Sequence, residues 1–254
     1  MTVDTHLLTV TKSGSVIVLT MNRPEKHNAL NRELGSAVAA TLEAADADDV
    51  VSVAVLTGGG SVAFCAGADM ADQMDPERRG GAERAIAAAA AFSKPLIAAV
   101  NGYAYGGGAL LAAACDLRYG SPASRFRFLG AAYGLVVGAS HLPPIVGSAK
   151  ARELIYTART VEADEASAIG LINGGFSGES LLTEVMAIAS AIAENSLPAL
   201  RASKQVINAT TGAGASWEME RAYHRELFGS EEQMGRFSAA AGKVLNTKRA
   251  GADA

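Results

Sequence analysis

Short apolar runs rich in β-branched residues alternate with helical patterns along the first two thirds of the chain. The runs are continuous rather than alternating, which is typical of strands buried on both faces. They lie at residues 16–21, 51–57 and 96–100. Between them, residues 31–46 place Leu34, Val38 and Leu42 four positions apart, which predicts an amphipathic helix with Asn31 as its N-cap. The alternation predicts an α/β fold with buried sheets.

Helical patterns continue through the rest of the chain. The alanine-rich residues 83–92 predict a second helix between the strands. Beyond about residue 173 only helices are expected. They are predicted at residues 181–194, 198–210, 217–230 and 231–243. Residues 251–254 are expected to form a frayed tail.

Composition and charge narrow the class of protein. A chain of 254 residues fits one large domain, or one domain with an extension. The formal net charge of −4 argues against nucleic acid as the main partner. No apolar run reaches the ~18 residues of a membrane span, and the first residues lack signal-peptide features. We therefore expect a cytoplasmic protein without a membrane span.

The two cysteines do not form a recognisable motif. Cys65 and Cys115 are too few for a disulfide framework, and no CxxC occurs. Cys65 lies in a glycine-rich segment, yet no neighbouring residue marks an activating base. We interpret it as a buried packing residue rather than a nucleophile.

Two glycine-rich segments carry the candidate chemistry. They read FCAGADM at residues 64–70 and NGYAYGGG at residues 101–108, and each follows a predicted strand. Both expose main-chain N–H groups to a ligand, and the second opens a helix whose N-terminal dipole favours negative charge. Two converging amide donors are what an enzyme needs to hold a thioester oxyanion or enolate.

At these segments the chain resembles the crotonase (enoyl-CoA hydratase/isomerase) family. The resemblance extends to NRPEKHNAL at residues 22–30, CDL at residues 115–117 and ELF at residues 226–228. It implies a spiral of ββα units, with residues 1–195 as an acyl-CoA-binding core. Residues 196–254 would then form a C-terminal helical trimerisation region, giving a homotrimer or a dimer of trimers.

The resemblance also assigns roles to individual residues. The backbone N–H groups of Ala68 and Gly107 would form the oxyanion hole. The CoA moiety would lie against Lys26, Ala29, Ala66, Ala68, Asp69 and Met70. Asp69 is interpreted as a structural or ligand-positioning residue rather than an acid. No metal and no cofactor beyond the CoA moiety of the substrate is expected.

The chain departs from the family at the two glutamates that perform acid–base work in its hydratases. Their positions are Leu110 and Gly130, and the loop of residues 136–143 is about three residues shorter than in relatives. Since neither residue transfers a proton, syn-hydration by the family mechanism is not expected. Decarboxylation needs an oxyanion hole but no strong base. The alternative is a non-catalytic acyl-CoA-binding protein, with Leu110 extending an apolar tunnel.

Other side chains are candidates to replace the glutamates. Tyr133 and His141 are the first choices, since both lie close to the shortened loop and His141 has a suitable unperturbed pKa. Tyr105 and Asp72 are further candidates. Each also has a structural interpretation: packing for the tyrosines, a helix-end contact for His141 and surface charge for Asp72.

Overall fold

The computed structural model describes residues 3–250. Its strands are β1 (Val3–Thr5), β2 (Leu8–Ser13), β3 (Val16–Met21), β4 (Val53–Gly58), β5 (Ala63–Cys65), β6 (Leu96–Val100), β7 (Tyr103–Tyr105), β8 (Leu117–Gly120), β9 (Arg125–Arg127), β10 (Val161–Glu162) and β11 (Gly174–Gly175). The helices are α1 (Arg32–Ala47), α2 (Met70–Met74), α3 (Gly81–Ala91), α4 (Gly107–Ala113), α5 (Leu142–Val146), α6 (Ser148–Thr157), α7 (Ala163–Ala168), α8 (Leu181–Ala193), α9 (Leu197–Thr210), α10 (Ala213–Leu227) and α11 (Glu231–Ala250). Short 3₁₀ turns occupy Pro24–Lys26 and Ala131–Tyr133.

The strands form two sheets that the chain visits in turn. The larger sheet has the order β1-β2-β3-β4-β6-β8-β11, and the smaller has the order β10-β9-β7-β5. Successive pairs (β4 with β5, β6 with β7, β8 with β9) therefore place one strand in each sheet before the chain enters helices. This is the predicted spiral of ββα units. Of these strands, β3, β4 and β6 are the three predicted from the sequence, and β11 contradicts the expectation of helices alone beyond about residue 173, because two glycines carry no strand pattern.

Helices cover both faces of the larger sheet, which explains its continuous apolar runs. Strand β3 turns Ile17 and Leu19 towards the cluster that contains α1, and it turns Val16 and Val18 towards Val185 of α8. The strands β3, β4 and β6 pair in parallel. Their carboxyl ends lead into the segments that build the site.

Polar contacts fix both ends of α1. The Asn31 side chain accepts a hydrogen bond from Leu34 N at 2.9 Å, as predicted for an N-cap. At the other end, the buried Lys94 Nζ donates to the carbonyls of Ala45 and Asp48 at 2.8 and 2.7 Å. Burial lowers the pKa of Lys94. These contacts satisfy carbonyls that a helix terminus leaves unpaired.

The C-terminal helices pack back on the spiral of the same chain. On α9, Lys204 Nζ lies 2.8 Å from Asp116 Oδ2, and Arg201 Nε donates to Ser93 Oγ at 2.9 Å. Asp116 also accepts from Leu96 N, which is a structural role. The division of the chain at residue 195 stays a prediction. Residues 251–254, where a frayed tail is predicted, lie outside the described residues.

Within the described residues, none of the helices combines the length and the apolar character that a membrane crossing requires.

Candidate active site

Backbone pairing fixes the first glycine-rich segment against residues 27–30. Leu30 N donates to Gly67 O at 2.7 Å, and Leu30 O accepts from Asp69 N at 3.0 Å. This isolated parallel bridge pairs Leu30 with Ala68. Ala68 therefore sits between two anchored peptide groups and its amide direction is set by the main chain.

Asp69 contributes to the same anchoring. Its carboxylate accepts from Ala71 N at 3.0 Å, which caps α2, and it forms an ion pair with Arg23 at 3.0 Å. Arg23 in turn donates to Ala29 O at 2.6 Å. With both carboxylate oxygens engaged, Asp69 has the contacts of a structural residue.

The second segment approaches the first so closely that glycine is required. Gly106 has φ 51° and ψ −118°, a conformation that suits glycine. A Cβ on Gly108 would lie 2.1 Å from Cys65 O, and a Cβ on Gly67 would lie 2.7 Å from Tyr105 O. Burial raises the pKa of Cys65 to about 12, so its thiol is protonated at neutral pH. This agrees with a packing role.

Two free amides meet where these segments touch. A Cβ placed on Gly107 would lie only 3.4 Å from the Ala68 nitrogen. Over the described part of the chain, neither Ala68 N nor Gly107 N donates to a protein acceptor. Both residues line the same cavity. The pair offers two hydrogen-bond donors to a ligand atom.

The cavity beside these amides has a volume of about 550 Å³. Its apolar lining comes from several elements: Met70, Met74, Ala82, Ile86, Leu110, Leu129, Leu135, Val136, Val137, Trp217, Phe228, Met234 and Phe237. Its polar lining includes Gln73, Arg79, Glu83, Tyr133, Glu220, Arg221, His224, Arg225 and Gln233. The space suits an acyl chain with a polar group at one end.

The predicted CoA contacts divide into two groups. Ala66, Ala68 and Met70 line the cavity, whereas Lys26 is exposed and Ala29 is half-buried. Asp69 is engaged by Arg23 as described above. The structure thus brings the first group together at the free amides and leaves Lys26 on the surface.

Leu110 and Gly130, which are expected at the positions of the family's glutamates, both line the cavity. Leu110 is 5% exposed and contributes an aliphatic side chain. Gly130 has no room for a side chain, since a Cβ would lie 2.7 Å from Val137 Cβ and 2.8 Å from Leu135 O. The segment containing Val137 thus occupies the space that a side chain at residue 130 would need.

The candidate replacements occupy different places. Tyr133 lines the cavity and contacts Phe237 at 6.1 Å between ring centroids. Tyr105 stacks on Tyr103 at 4.7 Å and is not part of the cavity lining. His141 lies behind the wall, edge-on to Trp217 at 5.0 Å. Burial lowers the pKa of His141, so its neutral form is favoured.

Asp72 is not a surface charge, so that interpretation was wrong. The residue is 6% exposed, and its carboxylate accepts from Arg32 N at 2.7 Å and from Arg78 Nε at 2.8 Å. Burial alone raises the pKa of Asp72, but the hydrogen bonds from Arg78 and Arg32 and the charges of Arg78 and Arg23 together lower it. Asp72 links α1 to the segment between α2 and α3.

Sequence reasoning missed Glu220, a buried carboxylate on α10 that lines the cavity. It accepts hydrogen bonds from Gly138 N at 2.8 Å, Ser140 N at 2.7 Å and Ser140 Oγ at 2.6 Å. Ser140 Oγ also lies 2.8 Å from His141 Nδ1. Three donors hold Glu220 in place and leave it little capacity to act as a base. Ser216 and His224 lie four residues before and after Glu220 on the same helix, and this local pattern does not indicate that Glu220 contacts residues 138–140.

Comparisons with known proteins agree with this fold. A sequence model described as enoyl-CoA hydratase/isomerase matches residues 11–239. The short-chain-enoyl-CoA hydratase of Clostridium acetobutylicum is 35% identical over 227 residues, which cover 86% of each chain. The crotonyl-CoA hydratase of Syntrophomonas wolfei is 37% identical over 206 residues, covering 78% of this chain and 79% of the relative. A crystal structure of an enoyl-CoA hydratase/isomerase from Pseudoalteromonas atlantica T6c has a TM-score of 0.86 at 33% identity, covering 93% of this chain and 97% of its own.

The chain belongs to the enoyl-CoA hydratase/isomerase, or crotonase, family. This membership confirms the predicted fold class and the prediction of an enzyme of the hydratase/isomerase type.

Proposed function

We propose that the chain binds an acyl-CoA thioester and stabilises its enolate between the amides of Ala68 and Gly107. The observation that carries this proposal is the pair of unoccupied N–H groups on the cavity wall. Negative charge develops on the thioester oxygen when an enolate forms, and preorganised donors lower the barrier most at that point. Ala66 and Met70, which line the same cavity, would flank the pantetheine arm, with Lys26 and Ala29 nearer the nucleotide.

We further propose that the reaction is not hydration by two glutamates. Leu110 has no titratable group, Gly130 has no side chain, and Glu220 already accepts three hydrogen bonds. Decarboxylation of a malonyl-type thioester fits a site with this composition. The bond from the α-carbon to the carboxylate breaks, CO₂ leaves, and the electron pair forms the enolate held by the two amides. Water then protonates the α-carbon.

Two measurements test this function. The first is turnover of crotonyl-CoA, a 3-enoyl-CoA and methylmalonyl-CoA by the wild-type protein, with turnover of methylmalonyl-CoA expected. The second is the absorbance of enolised acetoacetyl-CoA, which should rise on binding whichever reaction is natural. Rapid hydration of crotonyl-CoA would contradict the proposed reaction. Tight binding without turnover of any thioester would favour the acyl-CoA-binding alternative, for which the apolar Leu110 is the supporting feature.

We also propose that the chain assembles as a homotrimer or a dimer of trimers. Large apolar side chains on the C-terminal helices are exposed in the single chain, among them Val206, Ile207 and Met219. Such exposure supports burial against another copy. Light scattering after size-exclusion chromatography tests it, and a monomeric mass would contradict it.

A further inference from the structure

We infer that the cavity takes acyl groups that carry a carboxylate at the end remote from the thioester, and that Arg79 binds this carboxylate. The inference rests on the acyl-CoA binding proposed above and is independent of the reaction that follows. Arg79 lines the cavity and, among the described residues, has no acidic side chain within ion-pair distance.

Arg79 lies between α2 and α3, is half-buried and lines the cavity. Its Nε donates to Gln73 O at 2.8 Å, and its guanidinium carbon lies 4.8 Å from the centroid of the Phe228 ring. The hydrogen bond to Gln73 holds the side chain in place, and the Phe228 ring covers one face of the guanidinium group. The two terminal nitrogens remain to donate to a ligand, since stacking leaves the edge of the group available.

The cavity-lining Arg221 and the adjacent Arg78 are paired with acidic side chains, whereas Arg79 has no such partner among the described residues. Arg78 is bound to Asp72 and Glu33, and Arg221 lies 3.0 Å from Glu83. The carboxylate of Glu220 is occupied by its own three donors. Across residues for which the structure gives side-chain contacts, no acidic side chain lies within ion-pair distance of Arg79.

A carboxylate is the ligand group that fits this arrangement. It is planar and accepts two parallel N–H bonds from a guanidinium edge, whereas an alkyl end would cover the cation without compensating its charge. Hydrogen bonds to charged groups contribute enough to change affinity by roughly 10- to 100-fold. Arg225, which also lines the cavity and is exposed, adds positive charge without an ion pair in the described part of the chain.

The phosphates of CoA are the other anions that Arg79 could bind. Pairs of thioesters that differ only in the terminal carboxylate distinguish binding of that carboxylate from binding of a phosphate. Dissociation constants are measured for butyryl- and succinyl-CoA, hexanoyl- and adipyl-CoA, and octanoyl- and suberyl-CoA. Each pair shares its CoA and its chain length. The proteins are the wild type, Arg79→Gln, Arg79→Lys and the control Arg84→Gln. Arg84 is exposed on α3, donates to Ser36 Oγ and does not line the cavity.

We expect the wild type to bind the dicarboxylic thioester at least about tenfold more tightly at one chain length. Arg79→Gln should remove that preference and change affinity for the unsubstituted partner less than about twofold. Arg79→Lys should keep part of the preference, and Arg84→Gln all of it.

Any one of three results would overturn the inference. The first is that the wild type, which needs no substitution to fold, shows no preference for the dicarboxylic thioester at any chain length. The second is that Arg79→Gln weakens binding of both members of a pair equally, which would place Arg79 on a CoA phosphate, and the third is that the preference survives in Arg79→Gln. If none of the six thioesters binds, the proposed function fails together with the inference, whereas binding of the unsubstituted thioesters alone removes only the inference.

Discussion

The cavity has two walls of different construction. The amide wall, residues 66–68 and 106–107, offers main-chain N–H groups held by backbone pairing and by glycine contacts. The side-chain wall, made of Leu110, residues 129–137 and the cavity-lining residues of α10 and α11, offers side chains from distant parts of the sequence. One substitution on the side-chain wall changes what chemistry is available. The amide wall changes only if the backbone moves.

Because of this difference, binding of an enolate depends on the amide wall, whereas transfer of protons depends on the side-chain wall. An oxyanion hole made of peptide groups is compatible with many side chains opposite it, because its donors do not depend on residue type. Proton transfer depends on one carboxyl or imidazole group at one place. We propose that the chain keeps the donors while Leu110 and Gly130 stand in place of the acid–base pair.

The largest effect is expected on the amide wall. In Gly107→Val the Cβ would lie 3.4 Å from Ala68 N and 3.2 Å from Ala82 Cβ, and its methyl groups would occupy the space in front of the amides. We expect turnover, or enolisation of bound acetoacetyl-CoA, to fall by about 10²–10³-fold. The absorbance titration measures it.

The control for this substitution is Gly178→Val, which adds the same side chain where no atom lies within 4 Å of the new Cβ. Its activity should match the wild type. Full activity in Gly107→Val, with a melting temperature equal to that of the control, would mean that the two amides do not hold the thioester oxygen.

The next effect concerns the attachment of α10 to the loop of residues 138–140. Glu220→Gln replaces one acceptor oxygen by an NH₂ group, which then faces the N–H group of either Gly138 or Ser140. A lost bond to a buried charged group should lower the free energy of unfolding by about 1–3 kcal/mol. Urea denaturation measures this, and hydrogen exchange at residues 138–140 should speed up.

Glu218→Gln is the matched control on the same helix. The Glu218 side chain is 69% exposed and lies 3.9 Å from Arg221, so its loss should change stability by less than about 0.5 kcal/mol. Equal stability of the two variants would remove the evidence that Glu220 fastens the loop to α10.

A smaller effect is expected for Gly130→Ala, because the new Cβ meets Val137 and Leu135 at 2.7–2.8 Å. Overpacking of this kind typically costs about 1–3 kcal/mol, and a loop can relax to reduce it. Thermal melting against Gly178→Ala measures the difference. Unchanged stability would show that the segment of residues 135–137 moves to accommodate the new side chain. A glutamate could then be introduced at position 130 to test its effect on activity.

The amide wall was largely predictable from the sequence. Strand-like runs before FCAGADM and GYAYGGG predict two loops that leave parallel strands side by side, and glycine predicts close backbone approach. The structure has both features, with Gly108 packed on Cys65. Helix α1 and its cap at Asn31 were predictable for the same reason, since local patterns determine them.

The side-chain wall was predictable only in part. Leu110, Gly130 and Tyr133, which the sequence offered as pocket residues, line the cavity, but the contacts that hold the wall together join residues far apart in sequence. Glu220 and Gly138 are 82 positions apart, and nothing in the pattern of α10 marks a residue that reaches a loop in the core. Arg79 and Phe228 are brought together in the same way. Asp72 was misinterpreted because its burial depends on Arg32 and Arg78 rather than on its neighbours in α2.

The smallest effect tests whether Asp72 supports the amide wall from behind, since α2 begins directly after Asp69. The lowered pKa of Asp72 means that its ionised form stabilises the fold. This contribution is present above about pH 4, where the unfolded carboxyl ionises, and is lost as the pH falls through the lower folded-state value. Asp72→Asn should therefore cost about 1 kcal/mol at pH 7, a modest value because the partner Arg78 is 44% exposed. In urea denaturation between pH 3 and 7, the wild type should lose this advantage below pH 4, while the exposed control Asp164→Asn stays close to the wild type throughout. A difference between Asp72→Asn and the wild type that is constant over the whole range would mean that the ionised carboxylate is not what holds α1 against this segment, and that Asp72 contributes through its shape alone.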